Sequence, residues 1–152
     1  MVITPAVAAS EVEAADIVVI PGAIAIDKVL GVASEDTVQE FPSATVEAAR
    51  HLTELATTTS SVCTGAFILG QAGLLDGKSV TTHWEDIDSL RTAVPKARVV
   101  EKRRWVDEGH LVTSGGISAG ISMSLYLVAR LTSLQLARAT ARQMEFEWTE
   151  SP

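Results

Sequence analysis

The chain has 152 residues, of which 47% are hydrophobic and 20% charged, a balance that suits one globular domain over 1–152 with a sizeable core. A net charge of −7 argues against nucleic acid as the main partner, since phosphate backbones are bound by clustered Lys and Arg. One cysteine and three scattered histidines exclude an internal disulfide framework and argue against a metal site.

In chain order, short β-branched runs alternate with longer helical stretches, the pattern of a parallel sheet flanked by helices. Residues 1–10 lack a basic start and a sustained apolar stretch, so no signal peptide is expected there. Ile17-Val18-Val19-Ile20, closed by Pro21-Gly22, reads as a strand buried on both faces. A helix is expected from Ala44 to Ala56, capped by Ser43, with Val46, Ala49, Leu52 and Leu55 along one side. Thr57 to Val62 is a β-branched strand, and Gly65 to Leu75 a helix closed by Asp76-Gly77. Val80 to Thr82 suggests the next strand, followed by a helix starting near Trp84. Val99-Val100, Arg104 to Val106 and Leu111 to Thr113 are the later strands, the last two joined by Asp107-Glu108-Gly109. The basic run Lys102-Arg103-Arg104 reads as a solvated strand end. Two helices close the chain, the second carrying Ala137, Thr140, Ala141, Met144 and Trp148 as a stripe for core or subunit contact. No run approaches the roughly 20 apolar residues of a membrane helix, so no membrane partner is expected. The lone thiol fits a reducing, cytoplasmic setting.

Chemistry concentrates in Thr57 to Gly77. A strand that turns straight into a helix forces its corner residue into a strained conformation and demands small neighbours two before and two after. Ser61 and Gly65 meet that demand around Cys63. At the start of the helix, unpaired N–H groups and the helix dipole favour a thiolate, so Cys63 is expected to be reactive with a lowered pKa. The plainer alternative is a small buried hydrophobe, the usual fate of a free cysteine. Backbone N–H groups of Thr64 and of Gly22 or Ala23 could converge there on an oxyanion or substrate. That position, outside the carboxyl ends of the strands, is where open α/β sheets bind ligands.

His83 comes 20 residues after Cys63, at the end of the next predicted strand, and could serve the thiol as base or as stabilising cation. It could equally cap the following helix. Glu85 and Asp86 could orient His83, although acidic residues in a first helical turn are also what the dipole favours, and that is the preferred reading. His51, in mid-helix, and His110, beside a turn, are poor candidates. Gly115-Gly116 and Ser118-Ala119-Gly120 resemble a phosphate cradle only loosely, and close packing of a helix start against the Cys63 loop accounts for them better.

The stretch SVCTGAFILGQAGLLDGKSVTTHW, with IVVIPG before it and LVTSGGISAGISMSLYLVARL after it, resembles the ThiJ/PfpI branch of the class I glutamine amidotransferase-like superfamily. The likeness runs from about Val2 to Trp148 and is greatest to isonitrile hydratase-like members and amidase-like domains of transcriptional regulators. It implies a flavodoxin-like fold with helices on both faces, a homodimer, no metal and no cofactor. It also implies Cys63 as nucleophile, Thr64 beside it and the Pro21-Gly22 loop lining the site. Ala23 stands where relatives usually have a second glycine, and Ser122 where they usually have an aspartate. Relatives also begin with a strand and helix that supply an acid beside the cysteine. The chain is therefore expected to be N-terminally shortened, with an uncovered edge on its first strand.

The leading expectation is an enzyme in which the Cys63 thiolate adds to an electrophilic carbon of a small-molecule substrate and water releases the product, as an isonitrile hydratase or an amidase. The alternative is a non-catalytic sensor of oxidants or ligands built on the same thiol. Direct DNA binding is not expected, because no helix-turn-helix follows Trp148.

Overall fold

The structure, a computed structural model, describes residues 4–23 and 40–152. Its main sheet has four strands in the order β1 (Ala15–Ile20), β2 (Ala56–Val62), β6 (Leu111–Ser114), β5 (Trp105–Asp107). β1, β2 and β6 run parallel, and β5 closes the far edge as the antiparallel arm of a hairpin with β6. A parallel pair, β3 (Ser79–Val80) and β4 (Arg98–Val99), lies alongside. It is tied to the main sheet by two bonds to side chains, Thr81 N–H to Thr113 Oγ1 at 2.8 Å and Ser79 N–H to Glu108 Oε1 at 2.9 Å.

Five α-helices flank these strands among the described residues: α1 (Ser43–Leu55), α2 (Gly65–Gln71), α3 (Ile87–Ala93), α4 (Ser118–Leu131) and α5 (Leu134–Gln143). α1, α2 and α3 pack on one face, where Val18, Ile20 and Leu111 share a core with Ala49, Phe67, Leu69 and Leu90. α4 covers the other, where Val112 and Trp105 meet Met123 and Leu127, and α5 packs on α4. This parallel-dominated sheet with helices on both sides is what the alternating sequence predicts, and it is the flavodoxin-like arrangement that the family resemblance implies.

Several elements differ from expectation. β1 is not buried on both faces. Val18 and Ile20 are buried, whereas Ile17 and Val19 are 38% and 51% exposed, because β1 is an edge strand and no described helix reaches over their side. Ser43 is the first residue of α1, after Pro42, and its side chain caps nothing. α2 stops at Gln71, four residues before Leu75, and the chain bends away through Gly73 at φ 73°. The expected helix at Trp84 opens as a 3-10 turn, Trp84–Asp86, before α3. The last helix ends before Met144, since Glu145 takes φ 51°, and Trp148 folds back over the domain beyond it. The hairpin turn forms as predicted, with Gly109 at φ 85° and its N–H held by Asp107 Oδ1 at 2.7 Å.

Candidate active site

Cys63 sits between the end of β2 and the start of α2 with φ 56°, a left-handed conformation that costs a residue bearing a Cβ roughly 1–2 kcal/mol. Neighbouring glycines make the corner possible. A Cβ on Gly65 would lie 2.4 Å from the Ile20 carbonyl oxygen, and one on Gly22 would lie 2.9 Å from Cys63 Cβ, Thr64 N and Val62 O. The loop leaving β1 is thereby pressed directly against the cysteine. The corner is further fixed by its own backbone: Cys63 N–H donates to the carbonyls of Ser114 (3.1 Å) and Gly115 (3.2 Å) at the end of β6. The Cys63 carbonyl accepts the Thr82 hydroxyl at 2.8 Å and the Ala66 N–H at 3.3 Å. Cys63 itself is only 6% exposed, so the thiol is more enclosed than a surface corner would leave it.

Thr64, the helix N-cap residue, is also buried. Its hydroxyl donates to the Ala23 carbonyl at 2.8 Å and accepts the Ala23 N–H at 3.0 Å. This revises the expected anion-binding set, because Ala23 already directs its N–H to Thr64 and acts as a lock between the β1 loop and the corner. Gly22 is packed against the backbone of the corner, where a Cβ on it would meet Thr64 N at 2.9 Å.

His83 follows Thr82, so the segment after β3 that bonds the Cys63 carbonyl also carries the histidine. Its ring packs on the next loop: a Cβ on Gly116 would lie 2.2 Å from His83 Cδ2 and 3.0 Å from Nε2. Gly116 adjoins Gly115, an acceptor of the Cys63 N–H, so Cys63 and His83 flank one glycine pair. His83 caps the 3-10 turn through its carbonyl, which accepts Asp86 N–H at 2.9 Å, and its side chain makes no cap. Instead Nδ1 faces Glu85 Oε2 at 3.6 Å and the largely buried Asp86 Oδ2 at 3.7 Å. Both carboxylates thus lie on the Nδ1 side of the imidazole, beyond the dipole role expected of them. The Gly-rich stretch is close-packed, as predicted, since a Cβ on Gly120 would meet Val62 Cγ1 at 2.7 Å.

His51 and His110 are exposed and lie on elements away from this corner. Sequence reasoning missed Thr82 and Ser114, which with Gly115 bond the Cys63 backbone from neighbouring segments. Their positions at the carboxyl ends of predicted strands were the available signal. No group of three or more potential metal ligands occurs among the described residues, and no described helix is long and apolar enough to cross a membrane.

These features define a class: an α/β domain with a cysteine in a strained strand-to-helix corner at the carboxyl edge of a parallel sheet. The chain belongs to the DJ-1/PfpI family, whose profile matches residues 1–130. It is 35% identical over 133 residues to the isonitrile hydratase of Pseudomonas putida, which covers 86% of this chain and 52% of that protein. It is 33% identical over 117 residues to the HTH-type transcriptional regulator CdhR of Pseudomonas aeruginosa, covering 77% of this chain and 34% of that one. The chain thus spans from about a third to about half of the length of these relatives. A crystal structure of a ThiJ/PfpI family protein from Pseudomonas syringae superposes with a TM-score of 0.63 at 29% identity, over 71% of this chain and 43% of that one.

Proposed function

We propose that the chain carries a cysteine-nucleophile active site for small electrophilic carbon compounds, with isonitriles as the first candidates and amides as the second. The observation that carries this reading is the φ of 56° at Cys63, a strain retained at a corner where only a functional side chain gives reason to prefer cysteine over glycine. The similarity to an isonitrile hydratase supports the substrate class.

In the proposed reaction, the Cys63 thiolate forms a C–S bond to the terminal carbon of R–NC, and that carbon takes up a proton to give a thioimidate, Cys–S–CH=N–R. Water adds to the same carbon, one of its protons passing to nitrogen and the other to solvent. The C–S bond then breaks and releases R–NH–CHO and the thiolate, so that one water is consumed per turnover. His83, with Glu85 and Asp86 at Nδ1, is suited to carry these protons. Backbone N–H groups of Gly22 and Thr64 are suited to receive charge developing at the substrate.

The test is turnover of a small alkyl isonitrile, followed by NMR of the formamide. Wild-type protein should produce formamide, Cys63→Ser should not, and His83→Ala should be slower by about 10² or less if histidine only assists. Formamide production undiminished in Cys63→Ser would overturn the mechanism. A second reading, a non-catalytic redox or ligand sensor, draws on the similarity to a transcriptional regulator. It predicts no turnover together with oxidation of Cys63 by mild peroxide, read by mass spectrometry.

A further inference from the structure

Arg104 belongs to the basic run expected to be solvated, yet it is half-buried and bonded at three points. Its carbonyl accepts the Gly115 N–H at 2.9 Å. Its Nη1 donates to Ser122 Oγ at 2.8 Å and to Thr149 Oγ1 at 3.1 Å. Ser122 is fully buried on α4, and its carbonyl accepts the indole Nε1–H of Trp148 at 3.1 Å. The segment beyond α5 is therefore fastened to α4 twice, once through Arg104 and once through Trp148.

The far side of this cluster leads to the reactive corner. Gly115, held by the Arg104 carbonyl, is an acceptor of the Cys63 N–H, and Gly116 abuts the His83 ring. Ser122 lies in the same helix as Gly120, which is pressed against Val62, the residue before Cys63. Loosening Arg104 would free both supports of the glycine pair, the start of α4 and the start of β5.

We infer that Arg104 is a positioning residue for Cys63 and His83, and that Arg104, Ser122, Trp148 and Thr149 form a latch by which the C-terminal segment sets the Gly115–Gly116 loop. The inference rests on the reading of Cys63 as the reactive group and is independent of the substrate. Nothing in the latch touches the thiol. Its effect is to hold the loop that accepts the Cys63 N–H and seats the histidine.

The experiment is the second-order rate of Cys63 alkylation by iodoacetamide from pH 5 to 10, with a thermal melt for each protein. The variants are Arg104→Gln, Arg104→Lys and Trp148→Phe, the last keeping a partly buried ring and deleting one hydrogen bond. Arg104→Gln should slow alkylation at neutral pH by about two- to thirtyfold and move the midpoint upward, the range of coupling expected along a packed network. Trp148→Phe should move both in the same direction by less, and Arg104→Lys should restore part of the rate. A profile of wild-type shape in folded Arg104→Gln and Trp148→Phe overturns the inference, even where melting falls, since a merely structural role lowers the melt alone. If Arg104→Gln does not fold, the Trp148→Phe profile decides. Wild-type Cys63 that labels no faster than a free thiol removes the functional reading and the latch together. Fast wild-type labelling with unchanged variants removes only the latch.

Discussion

Cys63 is one of four non-glycine residues with positive φ among the described residues, with Lys102, Ile117 and Glu145, and it alone is buried. Surface residues can adopt such angles with little surrounding constraint, but a buried one is held there by its neighbours. The bonds from its N–H to Ser114 and Gly115, and from Thr82 to its carbonyl, supply that constraint. If the strain belongs to the backbone, removing the Cβ should release it while removing only the sulfur should not. Cys63→Gly is therefore expected to be more stable than Cys63→Ala by about 1 kcal/mol, measured by urea unfolding. Equal stability of the two, or a more stable alanine variant, would mean that the corner is relaxed.

At the scale of elements, the β5–β6 hairpin is fastened to α4 by a cluster at Asp107. Tyr126 OH donates to Asp107 Oδ2, Arg130 Nη1 bonds both Asp107 oxygens at 3.1 Å, and Arg130 Nη2 donates to the Gly109 carbonyl at 2.6 Å. Trp105 stacks on the Tyr126 ring with centroids 5.2 Å apart. Truncating Arg130 to alanine removes four bonds, one of them to Thr58 Oγ1 at 3.4 Å, and leaves Asp107 with its charge uncompensated, so a loss of about 1–3 kcal/mol is expected in urea unfolding. A loss under 0.5 kcal/mol, about the effect of an ordinary surface substitution, would show the cluster to be incidental. Burial first, and then the hydrogen bond to Asp107 and its negative charge, hold the Tyr126 phenol above its ordinary value of 10.0. The native state therefore keeps a proton that the unfolded chain releases at lower pH. Stability from this source is complete below about pH 10 and declines as pH rises through the raised native value. Urea midpoints of wild type should accordingly fall between pH 9 and 11 more steeply than those of Tyr126→Phe, and parallel curves would refute the assignment.

For the molecule as a whole, the exposed side of β1 is the feature with most consequence. Ile17 and Val19 present apolar surface on an edge strand of the four-stranded sheet. Apolar edges of this kind template pairing with other chains unless covered. The chain on its own is thus predicted to self-associate as concentration rises in sedimentation velocity, and Val19→Lys should shift it towards monomer without lowering its melting temperature. A wild-type chain that stays monomeric throughout, with a cooperative melt, would show that the edge is adequately protected.

What the sequence determined by itself was the corner. Ser61, Cys63 and Gly65 are related by short-range sterics, and the need for small residues there follows from chain geometry before any distant contact is considered. The order of strands and helices was legible for the same reason, since β-branching, helical spacing and turn glycines act over a few residues. The tertiary structure decided everything that depends on which distant segments meet. It exposed Ile17 and Val19, because alternation along a strand does not reveal whether a helix covers each side. Ala23 became a partner of Thr64 across 41 residues, and Arg104 left its basic run to bond Ser122 and Thr149. It ended α5 before Met144 and sent Trp148 back to α4. A polar side chain takes the partner that burial leaves nearest, and that choice is made in space after the chain has folded.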